Sequence, residues 1–562
     1  MLVFTYIQVM ASLELPDYMA RIVNEGIIGE NQSLIRNIGL KMLFVTAIGA
    51  VSTIIVGYIS SRIGTGFSKT VRKEVFSKVE SFSLIEFNKF SIASLITRTT
   101  NDIQQVQMVM IIIFRMIVSA PIMGIGAIIK ANQMAPSMTW IMGVAVTVLL
   151  VIILILFSVA IPKFKLVQKL IDLLNLVTRQ NLTGLRVIRA FNTEEFEEKK
   201  FDKVNMELKS INLFVNRIMV VMQPVMMLIF NLTTIGIIWV GAHLIDTGEL
   251  QIGDMIAFMQ YAMQVIMSFL MISIVFILVP RASVSAQRIS EVLNVDPAIV
   301  DPEKAKKSSG KTSGVVKFNN VTFSYPDADV PVLYNISFTA KPGQTTAIIG
   351  GTGSGKSTVI NLIPRFFDVT SGEILIDGIN IKDMKQKELH KKIGYIPQKG
   401  VLFSGTIESN IKYARPNATD KEVKSAAKIS QSSEFISTLK QRYDSAIAQG
   451  GANISGGQKQ RLAVARAVIT KPEIYIFDDS FSALDFKTDA KLRNELKSVT
   501  KNSTVIIVAQ RIGTILDADQ IVVLDDGKVA GIGKHKQLME TCLVYKEIAL
   551  SQLSQKELDN GR

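Results

Sequence analysis

The feature that most constrains this chain is a series of long stretches without a charged side chain. An apolar helix of about 20 residues crosses a bilayer core of about 30 Å. Four stretches are long enough to do so and contain no Asp, Glu, Lys or Arg: Met42–Ser61, Ala131–Pro162, Ile218–Ile245 and Met255–Pro280. Ile103–Ile129 is similar and is interrupted only by Arg115. The chain is therefore predicted to cross a membrane several times.

The N-terminus predicts one further span. Leu2–Leu13 is short, but together with the following LELPDYMA it can make a weak first crossing. This gives six spans in an α-helical membrane domain over residues 1–292. Met1 lies almost inside the first span, so we expect either that no amphipathic segment precedes it or that the chain lacks its natural start.

Charge in the connecting loops predicts the orientation. Residues 62–102 and 163–217 are rich in Lys and Arg, whereas residues 243–254 contain acids and neither basic type. Basic loops remain in the cytoplasm, which predicts a multi-pass protein of the cell membrane with both termini inside. The net charge of +14 is explained in the same way, and without aromatic–basic interleaving we expect no nucleic-acid binding.

The two basic loops show apolar residues at helical spacing, as in LLNLVTRQNLTGLRVIRAF. The spanning helices are therefore predicted to continue past the membrane, either to transmit force or as simple tethers. Arg115 is either a functional intramembrane charge or a side chain that reaches toward water. Met255, Met259, Met263, Met267 and Met271 form a spiral stripe for which helix packing is favoured over ligand contact.

After a Pro-, Lys-, Ser- and Gly-rich linker at residues 293–315, the pattern changes to short strands and helices. VVKFNNVTFSY and VLYNISFTA are predicted strands. The buried strand TTAIIG leads into GGTGSGKST, which fits the phosphate-loop pattern. Its glycines turn backbone N–H groups toward a phosphate chain, Lys356 supplies a charge and Ser357 a hydroxyl for Mg²⁺. A helix is expected from Thr358 onward. Residues 316–562 are thus predicted to be an α/β P-loop nucleotide-binding domain.

Two further motifs complete the nucleotide chemistry. The strand IYIF ends at Asp478, which is placed to hold Mg²⁺, and at Asp479. NISGGQKQR opens a helix with a Ser-Gly-Gly turn, a second anion receptor. Because one domain cannot easily fold two such receptors onto one nucleotide, two domains facing head to tail are expected.

These residues together resemble the ATP-binding-cassette transporters, and within them the bacterial exporter half-transporters. The resemblance covers nearly the whole chain, with SLITRTTND and NLTGLRVIRAF similar to the coupling regions and Ile454 replacing the usual leucine of the signature. It implies ATP and Mg²⁺ as cofactors. The implied ATP-binding residues are Tyr325, Gly350, Gly351, Thr352, Gly353, Ser354, Gly355, Lys356, Ser357, Thr358 and Gln398, with Ser357, Gln398 and Asp478 at the metal. Ser455, Gly456, Gly457 and Gln458 correspond to the signature that acts on the partner's site, and Ser482 to Asp485 (SALD) to the loop that crosses to it.

Three positions depart from the family pattern. Asp479 stands where the catalytic glutamate is usual, Gln510 replaces the switch histidine, and Gln449 stands where a glutamate precedes the signature. An aspartate is one methylene shorter, and misplacement by about 1 Å can cost on the order of 10²-fold in rate. A glutamine cannot be protonated. This pattern resembles the degenerate subunit of a heterodimeric exporter, which binds ATP and hydrolyses it poorly.

The leading interpretation is an ATP-driven exporter subunit that moves hydrophobic or amphipathic compounds through the lipid bilayer with a second half-transporter. Hydrolysis is expected mainly at the site completed by this chain's signature. The alternatives are a lipid or peptide exporter, an ATP-gated channel or sensor, and a homodimer with two slow sites.

Overall fold

The chain is described from a computed structural model, which covers residues 1–306, 314–326 and 328–552. Its internal contacts divide it into two units. The first comprises Met1–Glu80 and Ile92–Asn294, and the second comprises Ser81–Ser91 and Val295–Arg562. Residues 307–313, in the middle of the expected linker, lie outside the described residues, as does Asp327 of the FSYPDAD motif.

The first unit is helical throughout. Its helices, together with the short helix α3 that belongs to the second unit, are α1 (Leu2–Arg21), α2 (Gln32–Glu80), α3 (Leu84–Lys89), α4 (Ile92–Thr97), α5 (Ile103–Met134), α6 (Thr139–Phe191), α7 (Glu194–Asp246) and α8 (Ile252–Leu293). A π-helical turn follows α1 at Ile22–Ile27, and another joins α4 to α5 at Arg98–Asp102.

Among the described residues, five helical segments are long and apolar enough to cross a membrane. They are Gln32–Glu80, Ile92–Met134, Pro136–Phe191, Glu194–Asp246 and Ile252–Leu293. Helices α6 and α7 contain 53 residues each, or about 80 Å at about 1.5 Å per residue. The extension of the helices beyond the predicted spans is therefore confirmed.

Helix α1 is not among these five, so the sixth span stays a prediction. Two acids interrupt its apolar sequence, and both are paired inside the helical unit. Lys130 on α5 lies 2.8 Å from Glu14 Oε1 and 2.6 Å from Asp17 Oδ2. Tyr261 on α8 donates to Asp17 Oδ1 at 2.6 Å. These contacts attach α1 to α5 and α8.

The two features that the sequence left open have defined surroundings. Arg115 lies against α2, where its Nε donates to Ser60 Oγ at 3.3 Å. The methionine stripe of α8 divides in two. Met255 and Met259 pack in the helical core, whereas Met263, Met267 and Met271 are 45%, 46% and 39% exposed. Packing within this chain therefore accounts for the first part of the stripe.

The second unit contains two main sheets and their covering helices. Its strands are β1 (Val316–Phe323), β2 (Leu333–Ala340), β3 (Thr345–Gly350), β4 (Ser371–Ile376), β5 (Ile379–Asn380), β6 (Ile393–Ile396), β7 (Gly405–Thr406), β8 (Ala446–Ile447), β9 (Ile474–Asp478), β10 (Thr504–Val508), β11 (Gln520–Asp525) and β12 (Lys528–Gly533). Its further helices are α9 (Lys356–Leu362), α10 (Gln386–Lys392), α11 (Ile407–Ile411), α12 (Asp420–Ile429), α13 (Ser433–Thr438), α14 (Gly456–Val468), α15 (Phe486–Val499), α16 (His535–Thr541) and α17 (Leu543–Gln552).

The six-stranded sheet positions the nucleotide chemistry. Its order is β12-β11-β3-β10-β9-β6, and β11, β3, β10, β9 and β6 run parallel. All five residues of β9 and of β10 are buried, as expected for strands covered on both faces. The phosphate loop, Asp478 and Gln510 follow three neighbouring strands, so they meet at one edge, where ligands bind in open parallel sheets.

Candidate nucleotide site

The loop between β3 and α9 is shaped by glycines at positions that other residues cannot occupy. A Cβ at Gly350 would lie 2.2 Å from the carbonyl oxygen of Leu524, and Gly355 has a φ of +94°. The helix begins at Lys356, two residues earlier than expected. Along the loop Gly351, Thr352 and Gly353 are exposed and Ser354 is buried. A glycine-rich turn that opens a helix exposes backbone N–H groups, the arrangement that holds a phosphate chain.

Lys356 supplies positive charge to this loop. Its Nζ donates to the carbonyl oxygens of Gly350 at 2.9 Å and Gly351 at 2.6 Å. Burial lowers the pKa of Lys356, and the charges of Asp479 and Asp478 oppose that shift. The ammonium group therefore lies within the electrostatic reach of both carboxylates.

Ser357 and Asp478 place two hard oxygen donors together. Ser357 Oγ donates to Asp478 Oδ1 at 3.3 Å, and Asp478 is only 8% exposed. Burial raises the pKa of Asp478, with a smaller contribution from the neighbouring charge of Asp479. A hydroxyl and a carboxylate at this separation suit Mg²⁺, which prefers oxygen ligands and takes few from the protein. The residues present thus fit that ion.

Tyr395 contacts the other oxygen of Asp478 and was missed by the sequence reasoning. Its hydroxyl lies 3.5 Å from Asp478 Oδ2 and 3.1 Å from Asn361 Oδ1. β6 supplies Tyr395, α9 supplies Asn361 and β9 supplies Asp478, so the phenol joins three elements behind the phosphate loop. The signal available in the sequence was the position of Tyr395 three residues before Gln398 in GYIPQ.

Asp479 occupies a constrained turn immediately after β9. Its φ is +45°, its N–H donates to Val508 O at 3.0 Å, and its own carbonyl accepts from Ser482 Oγ at 2.8 Å. Gln398 Nε2 lies 3.4 Å from Asp479 Oδ2. Burial raises the pKa of Asp479, opposed by hydrogen bonds that include the backbone amide of Gln510. Asp479, Gln398 and Gln510 are thus brought together.

Tyr325 lies beside the phosphate-loop helix. Its hydroxyl is 3.1 Å from Thr358 Oγ1 on α9. Its ring meets Phe323 and Phe367 edge-on, with centroids 4.9 and 5.3 Å apart. Those contacts fix the ring relative to the loop, as an aromatic surface beside a nucleotide base requires.

The signature motif opens α14. Ser455 caps this helix by accepting from Gln458 N at 3.3 Å, while Gln458 Oε1 accepts from Ser455 N at 3.1 Å. Ser455 and Gly456 are exposed, and a Cβ at Gly457 would lie 3.3 Å from Ala483 O. The signature and the SALD loop are therefore neighbours on one surface. Asp485 caps α15 by accepting from Thr488 N at 3.0 Å.

Two glutamines, the buried Gln460 and the exposed Gln552, connect these motifs and were also missed. Gln460, 1% exposed, accepts from Gly400 N at 3.0 Å and donates to Pro397 O at 2.9 Å, which ties α14 to the segment around Gln398. Gln552 on α17 donates to Gln510 O at 2.8 Å and accepts from Ile512 N at 2.9 Å. Gln449, the third departure, lies in a 3₁₀ turn before the signature.

The whole sequence has clear relatives. Residues 1–269 match the family of ABC transporter transmembrane regions, and residues 333–482 match the ABC transporter family. An uncharacterized ABC transporter ATP-binding protein of Mycobacterium tuberculosis is 41% identical over 549 residues, covering 97% of this chain and 94% of that protein. YfiB of Bacillus subtilis, described in the same words, is 36% identical over 541 residues, 96% of this chain and 94% of its own.

The fold is that of a solved transporter. The structure of a bacterial Atm1-family ABC exporter with ATP bound superposes with a TM-score of 0.83 over 98% of this chain and 97% of its own, at 24% sequence identity.

Proposed function

The chain belongs to the ABC transporters, as an exporter half-transporter that joins a membrane domain to an ATP-binding domain, and from this premise we propose that it is the degenerate-site subunit of a heterodimeric exporter. Its own phosphate loop binds ATP with Mg²⁺ and hydrolyses it poorly. Its signature motif completes the partner's site, where most hydrolysis takes place.

One observation carries the proposal: the two altered residues belong to the same site as an intact set of binding residues. Lys356, Ser357 and Asp478 retain the groups that hold phosphates and metal, and Asp478 is engaged by Ser357 at 3.3 Å. Asp479, with its shorter carboxylate, receives Gln398 at 3.4 Å. The backbone amide of Gln510 is among the groups that influence the pKa of Asp479. Binding needs the first set only.

Each group has a distinct task in this mechanism. Loop amides and Lys356 bind and orient the phosphates. Ser357 and Asp478 would hold the metal, which when bound neutralises developing phosphate charge. Asp479 is set back from an attacking water by about 1 Å, enough to slow hydrolysis on the order of 10²-fold. Gln510 can donate to a phosphate oxygen but brings no positive charge. ATP therefore serves here to close the dimer.

The membrane half supports export of hydrophobic or amphipathic compounds. Met263, Met267 and Met271 are exposed along one side of α8, and methionine adapts to apolar molecules of different shape. With the loops at residues 62–102 and 163–217 basic, the nucleotide domain and both termini belong on the cytoplasmic side of the cell membrane. Six spans per subunit, with α1 as the first, complete this arrangement.

The decisive experiment compares the chain alone with the chain co-expressed with its partner, both in lipid nanodiscs. Alone, it should bind a fluorescent ATP analogue yet hydrolyse ATP slowly; the complex should turn over rapidly. Removing the partner's catalytic glutamate should then abolish most hydrolysis. Robust turnover by the chain alone, or unchanged turnover after that removal, would contradict the proposal.

The transported class is tested with the complex in vesicles. ATP-dependent accumulation of an amphipathic dye such as Hoechst 33342 is expected, without ionic current. A current that requires ATP, with no accumulation, would instead indicate a gated channel.

A further inference from the structure

The segment that follows α8 is a bound strap. We define the strap as residues 295–306. Asp301 Oδ1 accepts from Gln386 N, at the start of α10, at 2.9 Å. Lys306 Nζ lies 2.7 Å from Asp383 Oδ2, and its N–H donates to Asp383 O at 2.9 Å. Ile299, between these points and the end of α8, is 5% exposed. The strap is therefore fixed along its length to the nucleotide unit.

A second segment of the nucleotide unit comes from between two membrane-domain helices. We define the knob as residues 81–91, which follow α2 and precede α4. Phe82 and Phe90 stack near its two ends, with centroids 6.0 Å apart and planes 13° from parallel. Ile85 packs against an apolar cluster that includes residues of β1, β2 and β4. The knob is thus a closed loop attached to the nucleotide unit through its own apolar side chain.

Glu86 joins the knob to the strap. It is 3% exposed. Its Oε2 accepts from Ser83 N at 2.8 Å and Ser83 Oγ at 2.6 Å, which caps α3, and its Oε1 accepts from Ala298 N at 3.1 Å. Burial alone would raise the pKa of Glu86, but the hydrogen bonds from Ser83 and Ala298 outweigh it and leave the pKa below its usual value. The carboxylate is therefore ionised and its contacts are charge-assisted.

The covalent connections give this bond its significance. α2 ends at Glu80, immediately before the knob, and α8 ends at Leu293, five residues before Ala298. Across a separation of 212 residues, Glu86 of the knob accepts a hydrogen bond from the backbone N–H of Ala298 in the strap. Any rearrangement of the nucleotide unit that moves the strap must move the knob with it while this bond holds.

We propose that Glu86 is a positioning residue that couples the nucleotide unit to the membrane helices α2 and α8, by fixing the start of the strap to the tip of the first intracellular loop. This rests on the proposed function, since it concerns how the state of the nucleotide site reaches the membrane domain. The described hydrogen bonds of Glu86 go to Ser83 and Ala298, not to the phosphate loop or the signature residues, so nucleotide binding should not depend on it.

Two substitutions break the same bond from opposite sides. Glu86→Ala removes the acceptor and the cap of α3. Ala298→Pro removes the donor N–H and leaves Glu86 and its cap of α3 in place. The matched control is Glu422→Ala: Glu422 closes an equivalent capping box with Thr419 at the start of α12, and its ion pairs are with Arg415 and Lys471. The control therefore loses a cap without touching the strap.

The readout is hydrogen–deuterium exchange of the full complex in nanodiscs, with and without Mg·ATP, alongside binding of a fluorescent ATP analogue. The unaltered complex should show ATP-dependent changes in both the nucleotide unit and the cytoplasmic parts of α2 and α8. Glu86→Ala and Ala298→Pro should keep ATP affinity and the change in the nucleotide unit, but lose the change in α2 and α8. Their combination should be no worse than either alone.

Three results would overturn the inference: α2 and α8 responding normally in both variants, ATP affinity falling in both, or Glu422→Ala losing the same response. Vesicle transport by the unaltered complex tests the proposed function separately. If the unaltered complex accumulates dye and both variants keep the ATP-dependent exchange change in α2 and α8, the coupling role of Glu86 is wrong and the exporter assignment is unaffected.

Discussion

Asp478, the last residue of β9, and Asp479, which follows it, are the same residue type in different surroundings. Asp478 is held from two sides, by Ser357 at 3.3 Å and Tyr395 at 3.5 Å. Asp479 sits one residue on in a turn with φ of +45°, and its carboxylate meets Gln398 at 3.4 Å. In the proposed function, the first belongs to the set of residues that holds the nucleotide, and the second is too short for efficient hydrolysis.

In the proposed function, binding and hydrolysis use separable parts of one sheet edge. The groups proposed to hold phosphate and metal come from the loop after β3, from α9 and from the end of β9. The residues proposed to set the rate of hydrolysis, Asp479 and Gln510, lie in the turn after β9 and in the segment after β10. A chain can therefore lose one set while its fold and its other set stay intact, and substitutions on each side should have different effects.

The largest effect is expected from restoring the hydrolytic side. Asp479→Glu combined with Gln510→His should raise hydrolysis at this chain's own site by on the order of 10²-fold, because the carboxylate advances by about 1 Å and the imidazole can carry a proton. The measurement is ATP turnover of a complex in which the partner's catalytic glutamate has been removed.

Asp479→Asn is the matched control, since asparagine tolerates a positive φ and leaves the side-chain length unchanged. It should give no gain. Turnover that stays at background in the double variant would mean that these two residues do not set the difference between the sites.

Removing charge from the binding side should have the next largest effect. A hydrogen bond to a charged group contributes about 1.5–3 kcal/mol, so Lys356→Ala should weaken ATP at this site by roughly 10- to 100-fold. Binding of a photoreactive ATP analogue, with the labelled site located by proteolysis, measures it. Lys341→Ala, at an exposed position just before β3, should bind normally; equal losses in the two variants would remove the role assigned to Lys356.

The sequence predicted those features of the structure that are encoded in consecutive residues. The charge-free runs, the phosphate loop and the strand before Asp478 are each encoded in consecutive residues. Five helices long and apolar enough to cross a membrane, together with β3 and β9, lie where they were expected. Helix α1 could not be settled in this way, because Glu14 and Asp17 lower its apolar character. Their partners are distant in the sequence: Lys130 lies 116 and 113 residues away, and Tyr261 lies 244 residues from Asp17.

Contacts between residues far apart in the sequence could not be predicted from local patterns. Gln460 bonds backbone atoms 60 and 63 residues away, and Glu86 reaches Ala298 over 212 residues. A side chain that pairs with a backbone group leaves no mark on the partner's residue type, so neither periodicity nor motif spacing could reveal these connections.

A smaller effect is expected for Tyr395, which supports the metal-binding acid without being a ligand itself. Tyr395→Phe removes the hydroxyl between Asn361 and Asp478. A hydrogen bond of this kind contributes about 0.5–1.5 kcal/mol, so the Mg²⁺ concentration needed for half-maximal nucleotide binding should rise roughly 2- to 10-fold. Nucleotide binding in EDTA should not change.

The control is Tyr413→Phe, which removes the hydroxyl of an exposed tyrosine. An unaltered Mg²⁺ requirement in Tyr395→Phe would show that the hydrogen bond from Tyr395 does not contribute to metal binding by Asp478.

The smallest effect is expected at the clamp on the segment that carries Gln510. Gln552 uses both ends of its amide there, with Nε2 to Gln510 O and Oε1 to Ile512 N. Gln552→Ala should speed deuterium exchange at Ile512 roughly 2- to 10-fold, as expected for one lost hydrogen bond of about 0.5–1.5 kcal/mol, with ATP affinity unchanged. Gln552→Glu keeps the acceptor for Ile512 and loses the donor to Gln510, so Ile512 should stay protected. Equal exchange in the Ala and Glu variants would show that the amide of Ile512 is protected by something other than Gln552. Faster exchange at Ile512 with unchanged ATP affinity would show that the Gln510 segment can be loosened without loss of nucleotide binding. The proposed roles of Asp478 and Asp479, on the neighbouring strand, differ in the same way.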